Sequence, residues 1–168
     1  MPGPIETSRS FTVRRAATAD LPRICTMAAS LVRQHHGFDP LRFFMPQDVE
    51  QGYLWWFGQE MQNPKAALWV AIHDVEPCGY AYARLEPRDF NALLDACCML
   101  HDIWVEEPLR QYGVARALME AVGGFVRDHK APRLVLFTAK ANTGAQAFFA
   151  SLGCRPTMVE MTLETKGP

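Results

Sequence analysis

Residues 110–116 read RQYGVAR: two arginines flank a glycine where an apolar run gives way to a helical pattern. The first turn of a helix presents unpaired N–H groups and a partial positive charge. A glycine there lets an anion approach the backbone closely, and Arg110 and Arg116 add charge-assisted donors. This chemistry suits a diphosphate, held by the main chain of Arg110, Gln111, Tyr112, Gly113, Val114, Ala115 and Arg116. The segment is not a P-loop, because no Gly-Lys-Ser/Thr follows. Nor is it a dinucleotide fingerprint, which needs three spaced glycines after the first strand of a βαβ unit. Taken alone, R-x-x-G-x-A is equally an ordinary helix start with a basic surface residue.

The elements that must position this loop belong to a chain of 168 residues, 49% of them apolar, with net charge −1. These values fit one globular domain over 11–168 behind a short leader, 1–10. They do not mark a nucleic-acid binder, and the longest apolar runs fall far short of a membrane span. No secretory signal opens the chain, so a cytoplasmic location is expected. The five cysteines include no C-x-x-C pair and read as reduced thiols. No metal site is expected. Adjacent His35 and His36 point about 100° apart on a helix, a poor bite for one ion, and suit a helix end instead.

Periodicity predicts a strand over 11–16 and a helix capped by Thr18, with Leu21, Ile24, Ala28, Leu31 and Val32 on one face. Pro22 fits only in its first turn. A second helix runs over 47–62, with Val49, Tyr53, Trp56, Phe57 and Met61 at helical spacing. Strands follow at 66–72 and 79–85, joined through HDVEPC, and another at 96–105. A helix spans 113–129, where Gly123 and Gly124 suggest close approach to the sheet. A strand over 133–139, apolar enough to be buried on both faces, leads to a short helix in 142–153 closed by Gly153. A last strand is expected through TMVEMTLE. The order is β-α-α-β-β-β-α-β-α-β.

With this order in place, the chain resembles the GNAT superfamily of acyl-CoA-dependent N-acyltransferases. RQYGVA matches that family's Q/R-x-x-G-x-G/A loop, and NTGAQAFFASLG resembles its second signature. VRRAATADLPRI is similar to its N-terminal strand and helix. The resemblance implies an α/β (α+β) fold: a mixed, splayed sheet of six to seven strands flanked by about four helices. It implies acetyl-CoA as cosubstrate, lying in a splay between the strands ending at Val105 and Thr138. Its diphosphate would meet residues 110–116, and its pantetheine arm the backbone of Ile103, Trp104 and Val105. Asn142, Ala145, Phe148 and Phe149 would complete the site from the second signature. Asn142 is also a plain helix cap.

Acetyl transfer needs a neutral amine, and freeing a lysine-like amine at pH 7 costs roughly 4–5 kcal/mol. His101 is the first candidate base. Strand alternation sets Met99, His101, Ile103 and Val105 on one face, and the resemblance implies a base at such a position. A space-filling histidine is the alternative. Glu86 is the second candidate, as base or amine-binding carboxylate, or simply a solvated acid. Alternation turns Asp102 away unless a bulge intervenes. Phe149 stands where the family often has a tyrosine that protonates the departing thiolate. Without that acid, a thiol of pKa near 8.5 leaves at a cost of about 2 kcal/mol at pH 7. The acceptor, a small-molecule or peptide amine, should meet HHGFDPLRFFMPQ, Tyr53, Trp55 and Trp56. A non-catalytic acyl-CoA-binding regulatory module and a nucleotide-binding α/β domain are the competing readings, and homodimerisation stays open.

Overall fold

In the computed structural model, residues 10–165 are described; residues 1–9 of the expected leader lie outside them. Two compact units divide between Phe137 and Thr138. The first holds a five-stranded sheet in chain order, β1 (Phe11–Arg15), β2 (Ala66–His73), β3 (Glu76–Glu86), β4 (Cys97–Val105) and β5 (Leu134–Leu136). The first four strands are antiparallel neighbours, and β5 joins β4 in parallel. Three helices accompany them: α1 (Leu21–Phe38), α2 (Val49–Glu60) and α3 (Val114–Asp128). The second unit carries α4 (Thr143–Ser151).

Composition of the strands assigns the faces. Cross-strand partners share a face, so Leu68 with Tyr82 and Val70 with Tyr80 form one side. That side packs on Ile24, Met27 and Phe57 of α1 and α2. The opposite side carries Ala67, Ala71, Gly79, Ala81 and Ala83, and small residues let α3 lie close. Gly79 marks the tightest point: a Cβ there would sit 2.8 Å from the Trp104 carbonyl oxygen and 3.4 Å from Val114 Cγ1. Gly123 and Gly124, by contrast, have only Arg127 side-chain atoms within 4 Å. The expected close approach therefore belongs to a strand glycine, not to the helix pair.

Several local expectations are revised. A 3-10 turn at Thr18–Asp20 precedes α1, and Asp20 does the anchoring. Its carboxylate accepts the Ala17 N–H at 2.7 Å and two Arg14 N–H bonds at 2.7 and 3.0 Å. Pro22 does stand in the first turn of α1. The β2–β3 connection is tighter than HDVEPC suggested, because Asp74 and Val75 both take left-handed φ, 46° and 67°. That conformation closes a two-residue hairpin.

The strand expected over 133–139 shrinks to three half-buried residues, because β5 has a partner on one side only. Phe137 is 75% exposed. The strand expected through 157–164 does not form, so five strands stand where six to seven were expected. Alternating apolar residues need a neighbouring backbone to become a strand, and Met158, Val159, Met161 and Leu163 all lie exposed.

Candidate active site

The register of β3 against β4 slips by one residue: Tyr82 pairs with Asp102, but Ala83 pairs with Leu100. His101 is the extra residue. A bulge of this kind re-aims side chains. His101 and Asp102 consequently line the same cleft, of about 430 Å3, with Tyr82 and Arg84 of β3 and Asp48, Tyr53 and Trp56 from α2 and its approach. Strict alternation fails here. Ile103 pairs with Ala81 and Val105 with Gly79, on the α3 side, so neither shares a face with His101.

The cleft brings the two candidate bases together. His101 Nε2 lies 3.0 Å from Glu86 Oε1. A carboxylate only accepts, so the ring nitrogen donates. Glu86 is thus no loose loop acid but the last residue of β3, paired across to Cys97. The His101 ring also stacks on Tyr82, with centroids 5.3 Å apart and planes at 28°. Tyr82 in turn donates its hydroxyl to the buried Glu60 carboxylate at 2.5 Å. Arg84 Nε lies 3.8 Å from Glu86 Oε1 and 3.9 Å from Glu60 Oε2, and finds no hydrogen-bond partner.

Beneath this pair, Asp102 accepts a hydrogen bond from the Tyr80 hydroxyl at 3.1 Å and another from Tyr53. Burial pushes its carboxyl above the usual range, against the pull of those donors and of His101. Burial likewise drives Tyr53 and Tyr80 well up, with the Asp102 charge adding to it. All three groups thus favour the protonated form more than free side chains do.

Past the bulge, β4 leaves its neighbour. Pairing with β5 covers Cys98 to Leu100 only, so residues 101–105 run on with that edge unpaired. The chain then makes a 3-10 turn, Glu107–Leu109, and reaches the glycine loop. Gln111 and Gly113 both take positive φ, 69° and 86°. No atom lies within 4 Å of where a Gly113 Cβ would be. Gly113 caps α3, and its carbonyl accepts from Ala117 at 3.0 Å. The N–H groups of Val114, Ala115 and Arg116 precede that first helical bond, as the anion reading requires.

Arg110 lies differently from the expectation of a free phosphate ligand. Its Nε donates to the Val105 carbonyl at 3.0 Å, and its guanidinium carbon stands 4.8 Å from the Trp104 ring centre. It clamps the end of β4. The Trp104 side chain packs against the core on the α1–α2 side.

In the second unit, Asn142 caps α4, its side-chain oxygen accepting from Ala145 N–H at 3.1 Å. Phe148 and Phe149 follow, their rings 5.2 Å apart. Gly153, at φ 89°, closes the segment as expected.

Of the expected acceptor wall, Tyr53 and Trp56 line the cleft, whereas Trp55 is 67% exposed and not among its lining residues. His36 Nδ1 donates to the Phe43 carbonyl and His35 packs edge-on against the Phe43 ring, so the two histidines tie down the loop after α1. Sequence reasoning missed Glu60, Tyr82 and Arg84. The signal existed in GYAYARLE, where period 2 sets Tyr80, Tyr82, Arg84 and Glu86 on one face.

A mixed sheet opening beside an anion-ready helix start, with a base pair in the adjoining cleft, defines an acyltransferase. Residues 30–154 match the acetyltransferase (GNAT) family, and the chain belongs to that family. No curated protein sequence matches it. Among solved structures, a mutant of the BH1408 protein from Bacillus halodurans superposes with a TM-score of 0.77 at 19% identity, over 91% of this chain and 99% of that one. The aminoglycoside N-acetyltransferase AAC(6')-Iy in complex with CoA gives 0.73 at 19%, over 94% and 96%. AAC(6')-Ih from Acinetobacter baumannii gives 0.73 at 15%, over 95% and 100%. At these identities the three share the fold.

Proposed function

We propose that the protein moves an acetyl group from acetyl-CoA to a primary amine, with donor and acceptor bound together. The observation that carries this reading is the His101–Glu86 pair, set by the bulge in a cleft beside the unpaired stretch 101–105. The same region fits the cosubstrate, because Gly113 opens space at the first N–H groups of α3. Acetyl-CoA supplies the acetyl group as a thioester, whose C–S bond breaks as the amide C–N bond forms. Main-chain groups of Ile103 to Val105 and of Gln111 to Arg116 hold it.

His101 removes a proton from the bound ammonium, offsetting the roughly 4–5 kcal/mol that deprotonation costs at pH 7. Glu86 balances the imidazolium that results. Tyr53, Trp56 and Tyr82 give the cleft an aromatic wall, with Asp48 among the lining residues. That combination suits a small cationic amine. The related aminoglycoside N-acetyltransferases are one guide to the acceptor panel. The free cysteines Cys25, Cys78, Cys97 and Cys98 are buried thiols, which suits a cytoplasmic enzyme.

The test is thiol release from acetyl-CoA across a panel of aminoglycosides, polyamines, arylalkylamines and peptide amines. Turnover is expected with at least one. His101→Ala should lower it about 100-fold or more near pH 7, and much less at pH 9, where more amine is already neutral. An equal loss at both pH values removes His101 as base. Phe149, in place of an acidic tyrosine, favours one second reading, a regulatory module that binds acyl-CoA. Binding of CoA without turnover on every amine would select it.

A further inference from the structure

The deduction below rests on His101 serving as the base and concerns which of its nitrogens takes the proton. Two chains of contacts converge on the ring. One runs from Arg84 through Glu86 Oε1, 3.8 Å away, to His101 Nε2 at 3.0 Å. The other runs from buried Glu60 through the Tyr82 hydroxyl to the Tyr82 ring, on which the imidazole stacks. Arg84 ties the two together, standing 3.9 Å from Glu60 as well. Its Nε, buried and without a hydrogen bond, is poorly used as a donor, so its effect is that of a cation set between two carboxylates. Without it, Glu60 and Glu86 would face each other's charge in a partly dry cleft.

His101 Nδ1, in contrast, has no hydrogen bond among the described residues, and the residue lines the cleft. A neutral imidazole carries one N–H and one lone pair. If Glu86 claims the N–H at Nε2, the lone pair must be at Nδ1.

We infer that Glu60, Tyr82 and Arg84 are positioning residues that lock the His101 ring with Nε2–H on Glu86, leaving Nδ1 as the atom that accepts the amine proton. One proton passes from the ammonium nitrogen to Nδ1. The ring becomes imidazolium with its Nε2–H still on Glu86, and later returns the proton to water. Stacking on Tyr82 blocks the ring rotation that would exchange the nitrogens, and Glu60 holds Tyr82 in place.

The first measurement needs neither substrate nor variant. Nitrogen-resolved NMR of the His101 ring in the wild-type apoprotein, at a pH where the ring is neutral, should show Nε2 protonated and Nδ1 bare. The reverse assignment, or an even mixture, overturns the inference. Arg84→Met and Tyr82→Leu should then each give a mixture and lower kcat about 10-fold or more, with KM for acetyl-CoA unchanged. Tyr82→Phe, which keeps the stack, should recover most of the kcat lost in Tyr82→Leu. A KM rise without a kcat fall, or no recovery in Tyr82→Phe, also overturns it. If His101→Ala leaves turnover intact, the base assignment itself has failed. If His101 is essential but Nδ1 carries the proton, only the positioning argument has.

Discussion

Substituting Gly79 by alanine tests the closest approach in the sheet. Gly79 pairs with Val105 at the end of β4, and the new methyl would sit 2.8 Å from the Trp104 carbonyl oxygen, 3.3 Å from Val105 Cγ2 and 3.4 Å from Val114 Cγ1. The first contact is with main chain, which cannot rotate away as a side chain could. Relief requires β3 and β4 to separate, and overpacking of this kind costs about 1–3 kcal/mol. Alanine's smaller entropy in the unfolded chain returns about 0.4–1 kcal/mol, leaving a net loss of about 1–2 kcal/mol. Urea denaturation followed by circular dichroism should show it as a lower midpoint at unchanged slope. The displacement falls on Trp104 and Val105, the last residues of the unpaired stretch. Affinity for CoA, measured by titration calorimetry, should therefore fall together with stability. Stability within about 0.5 kcal/mol of wild type would refute the close approach. Lost stability with intact CoA affinity would refute the placement of the thioester arm along β4.

Gly113→Val should weaken CoA binding about 10-fold or more, by placing a branched side chain where φ is 86° and where an anion must approach; unchanged calorimetric affinity would put the diphosphate elsewhere. Asp20→Asn should destabilise the protein by about 1 kcal/mol near neutral pH, a figure reduced for the half-exposed Arg14. The Arg14 bond holds the Asp20 carboxyl below the usual range, against partial burial and with help from the Ala17 N–H. Its contribution is present above the unfolded carboxylate pKa and is lost as pH falls through the lower folded value. Urea midpoints of variant and wild type should therefore converge in acid, and a constant gap would exclude the carboxylate as the cause. Ellman titration of the native protein at pH 8 should show one fast thiol, the exposed Cys154. Burial raises Cys25 and Cys98 to about 11, so both stay protonated; two or more fast thiols would contradict that burial.

Much of the molecule was legible because its determinants are local. Gly113 marked a left-handed cap, Asn142 and Gly153 bracketed a short helix, and apolar spacing separated helices from strands within a few residues. The failures share one cause, since each needed knowledge of a partner. TMVEMTLE has the alternation of a strand, yet a strand exists only beside another backbone. RLVLFTA is apolar enough for burial on both faces, but β5 has one neighbour and keeps three residues. Gly123 and Gly124 looked like contact points, and the contact proved to be at Gly79, where two chain segments distant in sequence meet.

The sequence alone determined the elements, their order and the anion-ready start of α3, because hydrogen bonding within a helix turn, and the freedom of a glycine, depend on residues a few positions apart. Only the tertiary structure decided the chemistry of the cleft. One extra residue in β4 brings His101 and Asp102 onto the same side, and pairing with β3 delivers Glu86, Arg84 and Tyr82 to the imidazole. Register is a property of two strands together, and a slip of one residue leaves no mark on the periodicity of either.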